Sequence, residues 1–320
     1  MKNKPDVLIV GAGAIGSFYG AILKKAGCRV STVLRSDYEM VKAQGVRITS
    51  PLGDLSYQPD QVYRDGEVPS EAPDFLILCV KVLPGVDRVK LVAPWMGEKT
   101  CLVLIENGLG IEKELADAYP SNPLISCLAF IAVSRAESGV IEHKAHGKLV
   151  MGQYPEGIND NCRVLSKLFQ QGGININLTE KVVGERWRKC LWNTPFNPLS
   201  VIADGADTRT ILETPGGEAL IRAMMQEVVD VAAAEGHPMK QELIDKNIAG
   251  TRKMPAYRNS MALDYLSGRP IEREAVLGNV VAIAEHHGIA VPHLNTVLVA
   301  LKMRAELEAG HRINGDEGIS

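Results

Sequence analysis

Apolar positions in the first part of the chain cluster into short runs with few polar interruptions: DVLIV (6–10), RVSTVL (29–34), FLILCV (75–80), CLVLI (101–105) and LISCLAFIAV (124–133). Runs of this length without alternation predict strands buried on both faces of a sheet. Between the first two, GAGAIG leads into SFYGAILKKAG, whose apolar positions recur at helical spacing up to Gly27. Strand, tight turn, helix and strand then make a β-α-β unit of the length a right-handed parallel crossover requires. GVRITSPLGDLSYQP (45–59) alternates about a Pro-Leu-Gly-Asp turn and predicts a hairpin inserted into this frame. From about residue 180 strand-like runs disappear, and segments such as EALIRAMMQEVVDVAAAEG and REAVLGNVVAIAEHHG carry helical periodicity. Thr214 followed by Pro215 has the signature of a helix start, and Gly236 sits where that helix should stop.

The pattern predicts an α/β protein with an N-terminal Rossmann doubly wound sheet followed by an all-helical C-terminal domain. The expected domains are 1–180 and 181–320, and a chain of 320 residues has the material for two. Charged residues at 23% and a formal charge of -3 leave no basic excess to seek phosphate backbones, so nucleic acid is not an expected partner. The six cysteines are scattered without a C-x-x-C pair, which predicts small core residues and no metal site. The apolar run near the N-terminus is too short for a signal peptide and no later run spans a bilayer, so the expected location is cytoplasmic.

Two stretches carry candidate chemistry. Gly11, Gly13 and Gly16, with Ala12, Ala14 and Ile15 between them, form G-x-G-x-x-G after a strand and at the opening of a helix. There Gly11 can make the tight turn, Gly13 can admit a pyrophosphate to the backbone, and Gly16 can let the helix approach the sheet. The second strand ends in VLRS, placing Arg35 where an NAD site has a carboxylate, which favours a 2′-phosphate and hence NADP, although Asp37 could reach a ribose instead. In ERWRKCLWNTPFNPLS (185–200), Lys189, Asn193 and Asn197 are four residues apart, so they drift only about 40° per step around a helix. They can converge on one ligand, or the lysine can be an exposed helix residue and the asparagines caps or turns favoured by Pro195 and Pro198.

Taken together, GAGAIG, Arg35, CVK ending at Lys81, ENG (106–108), WRKCLWNTPFNPLS, NSMALD (259–264) and Pro270-Ile271-Glu272 resemble the ketopantoate reductase (2-dehydropantoate 2-reductase) family. The resemblance covers the whole chain and is strongest in the W-R-K-x3-N-x3-N-P-L block. It implies an N-terminal Rossmann domain binding NADPH, a helical domain for substrate, and reduction of a 2-keto acid in the cleft between them; apart from the resemblance, the apolar content of the helices leaves surface for a homodimer. It implies Lys189 as the general acid, with Asn193 and Asn197 bonding substrate and Ser260 binding its carboxylate. Asn107 would lie near both nicotinamide and substrate, Lys81 would contact the cofactor, and Glu272 would stand at the far wall with a catalytic and cofactor-binding role. The simplest activity implied is reduction of ketopantoate to pantoate for coenzyme A synthesis. Another 2-keto acid or carbonyl compound, or NADPH sensing without turnover, are the alternatives.

Four positions depart from the family's pattern. Pro195 removes a donor between the two asparagines and predicts a displaced Asn197. Pro84 replaces a common glutamine. Glu106 replaces the usual neutral residue before Asn-Gly and repels an anionic substrate if it points inward, and Asp207 adds a carboxylate where some members use asparagine to touch substrate. Glu272, two residues after Pro270, is expected in a helix first turn.

Overall fold

The computed structural model describes residues 4–67 and 69–316, with side chains described as far as Leu307 in the last helix. The chain divides into two compact units. The first holds residues up to Lys81, Gly85–Asn107 and Ile111–Glu185, and the second holds Val82–Pro84, Gly108–Gly110 and everything from Arg186.

In the first unit, β1 (Asp6–Val10), β2 (Arg29–Leu34), β3 (Val46–Thr49), β4 (Leu55–Tyr57), β5 (Gln61–Arg64), β6 (Phe75–Leu78), β7 (Cys101–Ile105), β8 (Leu124–Glu137), β9 (Val140–Gln153) and β10 (Ile176–Leu178) form one sheet. Its order is β4-β3-β9-β8-β7-β6-β1-β2-β5, with β10 also on β9. Strands from β8 through to β5 pair in parallel. Chain order reverses at β1, with β2 on one side and β6 on the other, which is the place where such sheets open a crevice for ligands.

The helices of this unit are α1 (Ala14–Lys25), α2 (Tyr38–Gln44), α3 (Arg88–Val92), α4 (Lys113–Ala118) and α5 (Asp160–Gln171). Val7 and Ile9 of β1 enter the core that holds Phe18, Ile22 and Phe169, whereas Leu8 and Val10 enter the opposite core with Val92, Trp95 and Leu115. Burial on both faces is why the strand reads as an unbroken apolar run. The sheet curls, so that α1 touches β3, β4, β8 and β9 as well as β1 and β2. The expected hairpin is β3–β4, antiparallel from Val46↔Tyr57 to Ile48↔Leu55. It is no separate insertion, because β3 also runs parallel to β9 inside the main sheet.

The second unit contains helices and no strand among the described residues. They are α6 (Val182–Ile202), which lies in this unit from Arg186 onward, α7 (Thr208–Glu213), α8 (Gly217–Ala234), α9 (Glu242–Lys253), α10 (Ser260–Leu266), a π-helical turn (Glu274–Gly278) running into α11 (Asn279–His286), and α12 (Pro292–Asp316). The α8 start differs from expectation. Thr214 is the C-cap of α7, its hydroxyl donating to the Thr210 carbonyl at 2.7 Å, and α8 begins after Gly216, whose positive φ of 83° makes the turn. Buried Glu227 of α8 accepts from the backbone N–H groups of His293 and Leu294 at 2.9 and 2.8 Å, capping α12. No helix among the described residues is long and apolar enough to cross a membrane.

Candidate active site

The glycine turn lies at the chain reversal between β1 and β6. Gly11 has φ +85°, and a Cβ there would come within 2.6 Å of the Val80 side chain and 3.0 Å of its nitrogen. A Cβ on Gly16 would lie 2.8 Å from the Gly11 carbonyl oxygen and 2.9 Å from Ile9, so α1 reaches the sheet only with glycine there. Gly13 is different: it is exposed, and nothing stands within 4 Å of the place its Cβ would take. Gly13 is also the N-cap of α1 and supplies no side-chain hydrogen bond. Open space in front of an uncapped helix N-terminus fits a pyrophosphate, whose charge would meet the free N–H groups and the positive end of the helix dipole. Arg35 follows β2, exposed and without a hydrogen bond or ion pair among the described residues. Beneath the turn, burial pushes the Cys79 thiol well above its usual range, with Glu106 and Cys127 adding to the effect.

In the second unit α6 runs unbroken through Pro195 and Pro198. The expected displacement of Asn197 is therefore absent, and Lys189, Asn193 and Asn197 keep their helical succession on one face. The prolines withhold amides from the carbonyls of Leu191 and Thr194, a local loss that the buried surroundings of Leu191, Thr194 and Phe196 tolerate. Asn197 is buried, and its Oδ1 has no hydrogen-bond partner. Such an atom costs about 1–3 kcal/mol unless a ligand or water satisfies it. Lys189 is half-buried, and its pKa is lowered from 10.5 to about 8 by burial first and the Arg186 guanidinium second, with Cys190 and Glu272 pulling the other way.

Asn259 places Ser260. Its Oδ1 caps α10 by accepting from the Ala262 N–H at 2.9 Å, while its Nδ2 donates to Ser200 Oγ at 2.7 Å and to the Phe196 carbonyl at 3.3 Å. Exposed Ser260, the next residue, is thus tied to the turn of α6 that carries Asn197. Glu272 stands at the opening of the π-helical turn, its carbonyl accepting from the Val276 N–H at 3.1 Å, and its Oε1 accepts from the Val82 N–H at 3.1 Å. The segment Gly108–Gly110 is held as firmly, with Leu109 N–H donating to the Ala275 carbonyl at 2.9 Å, Asn279 Nδ2 to the Leu109 carbonyl at 2.7 Å, and buried Arg186 Nη1 to the Gly108 carbonyl at 3.1 Å. Lys81 and Asn107, both half-buried, lie in the first unit immediately before these two held segments.

The family departures find local explanations. Glu106 is buried, and its Oε2 accepts from Arg88 Nη1 at 2.7 Å. Arg88 also donates to Glu114 Oε1 at 2.7 Å and to the Ile111 carbonyl at 2.5 Å, so the expected repulsion is neutralised inside the fold. Asp207 is the N-cap of α7, and the Thr210 N–H on its carboxylate holds its pKa below the usual range. Pro84 is exposed. Arg186, Asn259 and Asn279 were not visible as site residues in the sequence. The one signal was Asn259, which stands at a cap position directly before the serine.

Among the described residues no group of three or more His, Cys, Asp or Glu could hold a metal ion. The family model described as Ketopantoate reductase PanE/ApbA matches residues 7–156, and the Ketopantoate reductase PanE/ApbA C terminal model matches residues 181–305. A 2-dehydropantoate 2-reductase of Nostoc sp. is 33% identical over 306 residues, covering 94% of this chain and 95% of that one. The crystal structure of 2-dehydropantoate 2-reductase from Methylococcus capsulatus is 46% identical, with a TM-score of 0.89 over 94% of this chain and 97% of the other. That from Geobacter metallireducens is 29% identical, with a TM-score of 0.87 over 93% and 99%. With both halves of the fold matched in order, the chain belongs to the ketopantoate reductase family and is an oxidoreductase of the 2-dehydropantoate 2-reductase type.

Proposed function

We propose that the chain catalyses NADPH-dependent reduction of 2-dehydropantoate to pantoate, the reaction that supplies pantoate for coenzyme A synthesis. The observation that carries this reading is the face of α6, where an amine with its pKa lowered to about 8 stands in succession with Asn193 and a buried Asn197 whose carbonyl lacks a partner. Bound NADPH supplies the hydride that reduces the keto carbon. The backbone of Gly11–Gly16 holds the pyrophosphate, Arg35 the 2′-phosphate, and Lys81 and Asn107 the nicotinamide end. Lys189 donates its proton to the keto oxygen, and its ammonium stabilises the charge that develops there. A pKa near the working pH makes that proton easy to give while leaving most of the lysine charged. Glu272, which raises the Lys189 pKa, keeps the amine charged against the effect of burial.

Asn193 and Asn197 hydrogen-bond the substrate oxygens, Ser260 binds its carboxylate, and Asn107 orients the reacting carbonyl. The ion pair of Glu106 with Arg88 supports an anionic substrate, because that carboxylate's charge is offset inside the fold, while Asp207 is engaged as the N-cap of its own helix. The reading also makes the protein cytoplasmic, with a small 2-keto acid as its partner. The test is NADPH oxidation by purified protein with 2-dehydropantoate beside a panel of other 2-keto acids. Turnover strongest on 2-dehydropantoate is expected. Preference for another acid would move the substrate, and NADPH binding without turnover on any acid would overturn the catalytic reading.

A further inference from the structure

We propose that Arg135, delivered by the β8–β9 hairpin, is a second cation of the cofactor's 2′-phosphate site and sets the preference for NADPH together with Arg35. The inference rests on the NADPH reading above and adds a residue that lies 98 positions from the loop it serves.

The loop after β2 contains three polar residues in different states. Arg35 is exposed and unpaired among the described residues, Ser36 is exposed, and Asp37 is 8% exposed. A carboxylate in this loop ordinarily accepts a hydrogen bond from the ribose 2′-hydroxyl and repels a 2′-phosphate, which would favour NADH. Here both Asp37 oxygens are engaged. Arg135 Nη1 donates to Oδ2 at 2.9 Å, and Ser36 Oγ donates to Oδ1 at 3.2 Å. Part of the acceptor capacity that would select NADH is thereby taken up, and Arg135 offsets its charge.

Arg135 has capacity beyond that pairing. Its Nη1 also lies 3.4 Å from Ser36 Oγ, its side chain is 42% exposed, and its remaining donors make no hydrogen bond among the described residues. A guanidinium offers five donors in a planar fork, so one edge can hold Asp37 while the other meets a phosphate oxygen. Of the other charged groups nearby, Arg64 is paired with Glu39 and lies over the Tyr38 ring, and the Lys42 amine donates to the Tyr38 hydroxyl. Arg35 and the free edge of Arg135 are the donors left to a ligand beside Ser36.

The fold accounts for the delivery. β8 and β9 run for 14 residues each, well past the parallel core, and the sheet curls around α1 so that the hairpin reaches the end of β2. The β8–β9 register shifts between Arg135 and Glu137, an irregularity of the kind that re-aims a side chain.

The experiment is a fluorescence titration of NADPH and of NADH against the wild type, Arg35→Ala, Arg135→Ala, Arg135→Lys, Asp37→Ala and the Asp37→Ala/Arg135→Ala double variant. Loss of one charge-assisted contact predicts about tenfold weaker NADPH binding for Arg135→Ala, less than about twofold change for NADH, and a partial loss for Arg135→Lys. The same NADPH loss should persist when Arg135 is removed from the Asp37→Ala background. Equal weakening of both cofactors, or a loss that vanishes in that background, would reduce Arg135 to a structural tie and overturn the inference. If the wild type prefers NADPH, Arg35→Ala weakens that preference and Arg135→Ala does not, only this inference falls. If the wild type shows no preference, the NADPH reading falls and takes the inference with it.

Discussion

If Lys189 is the proton donor, the pH dependence of reduction reports its pKa, which burial and Arg186 lower to about 8. Reduction needs the protonated amine, so kcat/KM for the keto acid should track the protonated fraction of the enzyme form that meets it. That fraction is about nine-tenths at pH 7 and about one-tenth at pH 9, whereas an unperturbed lysine stays almost fully protonated across the same range. The expected fall is therefore about tenfold over those two units. Oxidation of the hydroxy acid needs the neutral amine and should rise through the same midpoint. Arg186→Gln removes the second cause of the shift, so the fall should move to higher pH, and any activity left in Lys189→Ala should lack it. Initial rates at fixed, saturating NADPH in a constant-ionic-strength buffer series test all of this. A kcat/KM for reduction that stays level to about pH 9.5, or an unchanged limb in Lys189→Ala, would refute the assignment.

Three further outcomes follow from packing. Asn197→Leu removes a buried unpartnered carbonyl, so it should raise unfolding stability by about 1 kcal/mol while lowering kcat/KM for the keto acid at least about tenfold; denaturant titration and steady-state kinetics check both. Arg88→Met strands the buried Glu106 carboxylate and should cost about 3–5 kcal/mol, most of it recovered in Arg88→Met/Glu106→Gln, as a double-mutant cycle would measure. Gly108 has φ +111°, and a Cβ there would meet Ala275 Cβ at 2.6 Å, so Gly108→Ala should lower the melting temperature by several degrees, on the order of a 1–3 kcal/mol loss.

The strands most legible in the sequence were those buried on both faces. DVLIV, RVSTVL and CLVLI coincide with β1, β2 and β7 because most of their side chains are buried whichever face they point to, leaving few exposed positions to break the run. β8 was legible only in its first ten residues. Past the parallel core it becomes half-exposed and irregular, so neither an unbroken run nor a clean alternation marks its last four positions. Pro195 pointed away from a continuous helix because local rules count the lost amide, while the burial of Thr194, Phe196 and Asn197 that holds the helix together is a tertiary property. The spacing of Lys189, Asn193 and Asn197 did give their common face, since helical period alone sets it. The partners of Glu106 and Asp37 were beyond reach, because Arg88 and Arg135 are brought to them by sheet pairing and curl, with no local signal at either position.

The membership of Val82–Pro84 and Gly108–Gly110 in the helical unit limits how such proteins can be recombined. A cut near residue 180 looks like a natural seam, but a helical half expressed alone would lack the peptide that engages Arg186, Ala275 and Asn279. A chimera that joins the sheet of one relative to the helices of another inherits the same mismatch. To remain a working exchange, it must carry two three-residue grafts along with the helices they complete. The unit of inheritance in this architecture is therefore discontinuous in sequence, and exchange by a single crossover should seldom yield a stable protein.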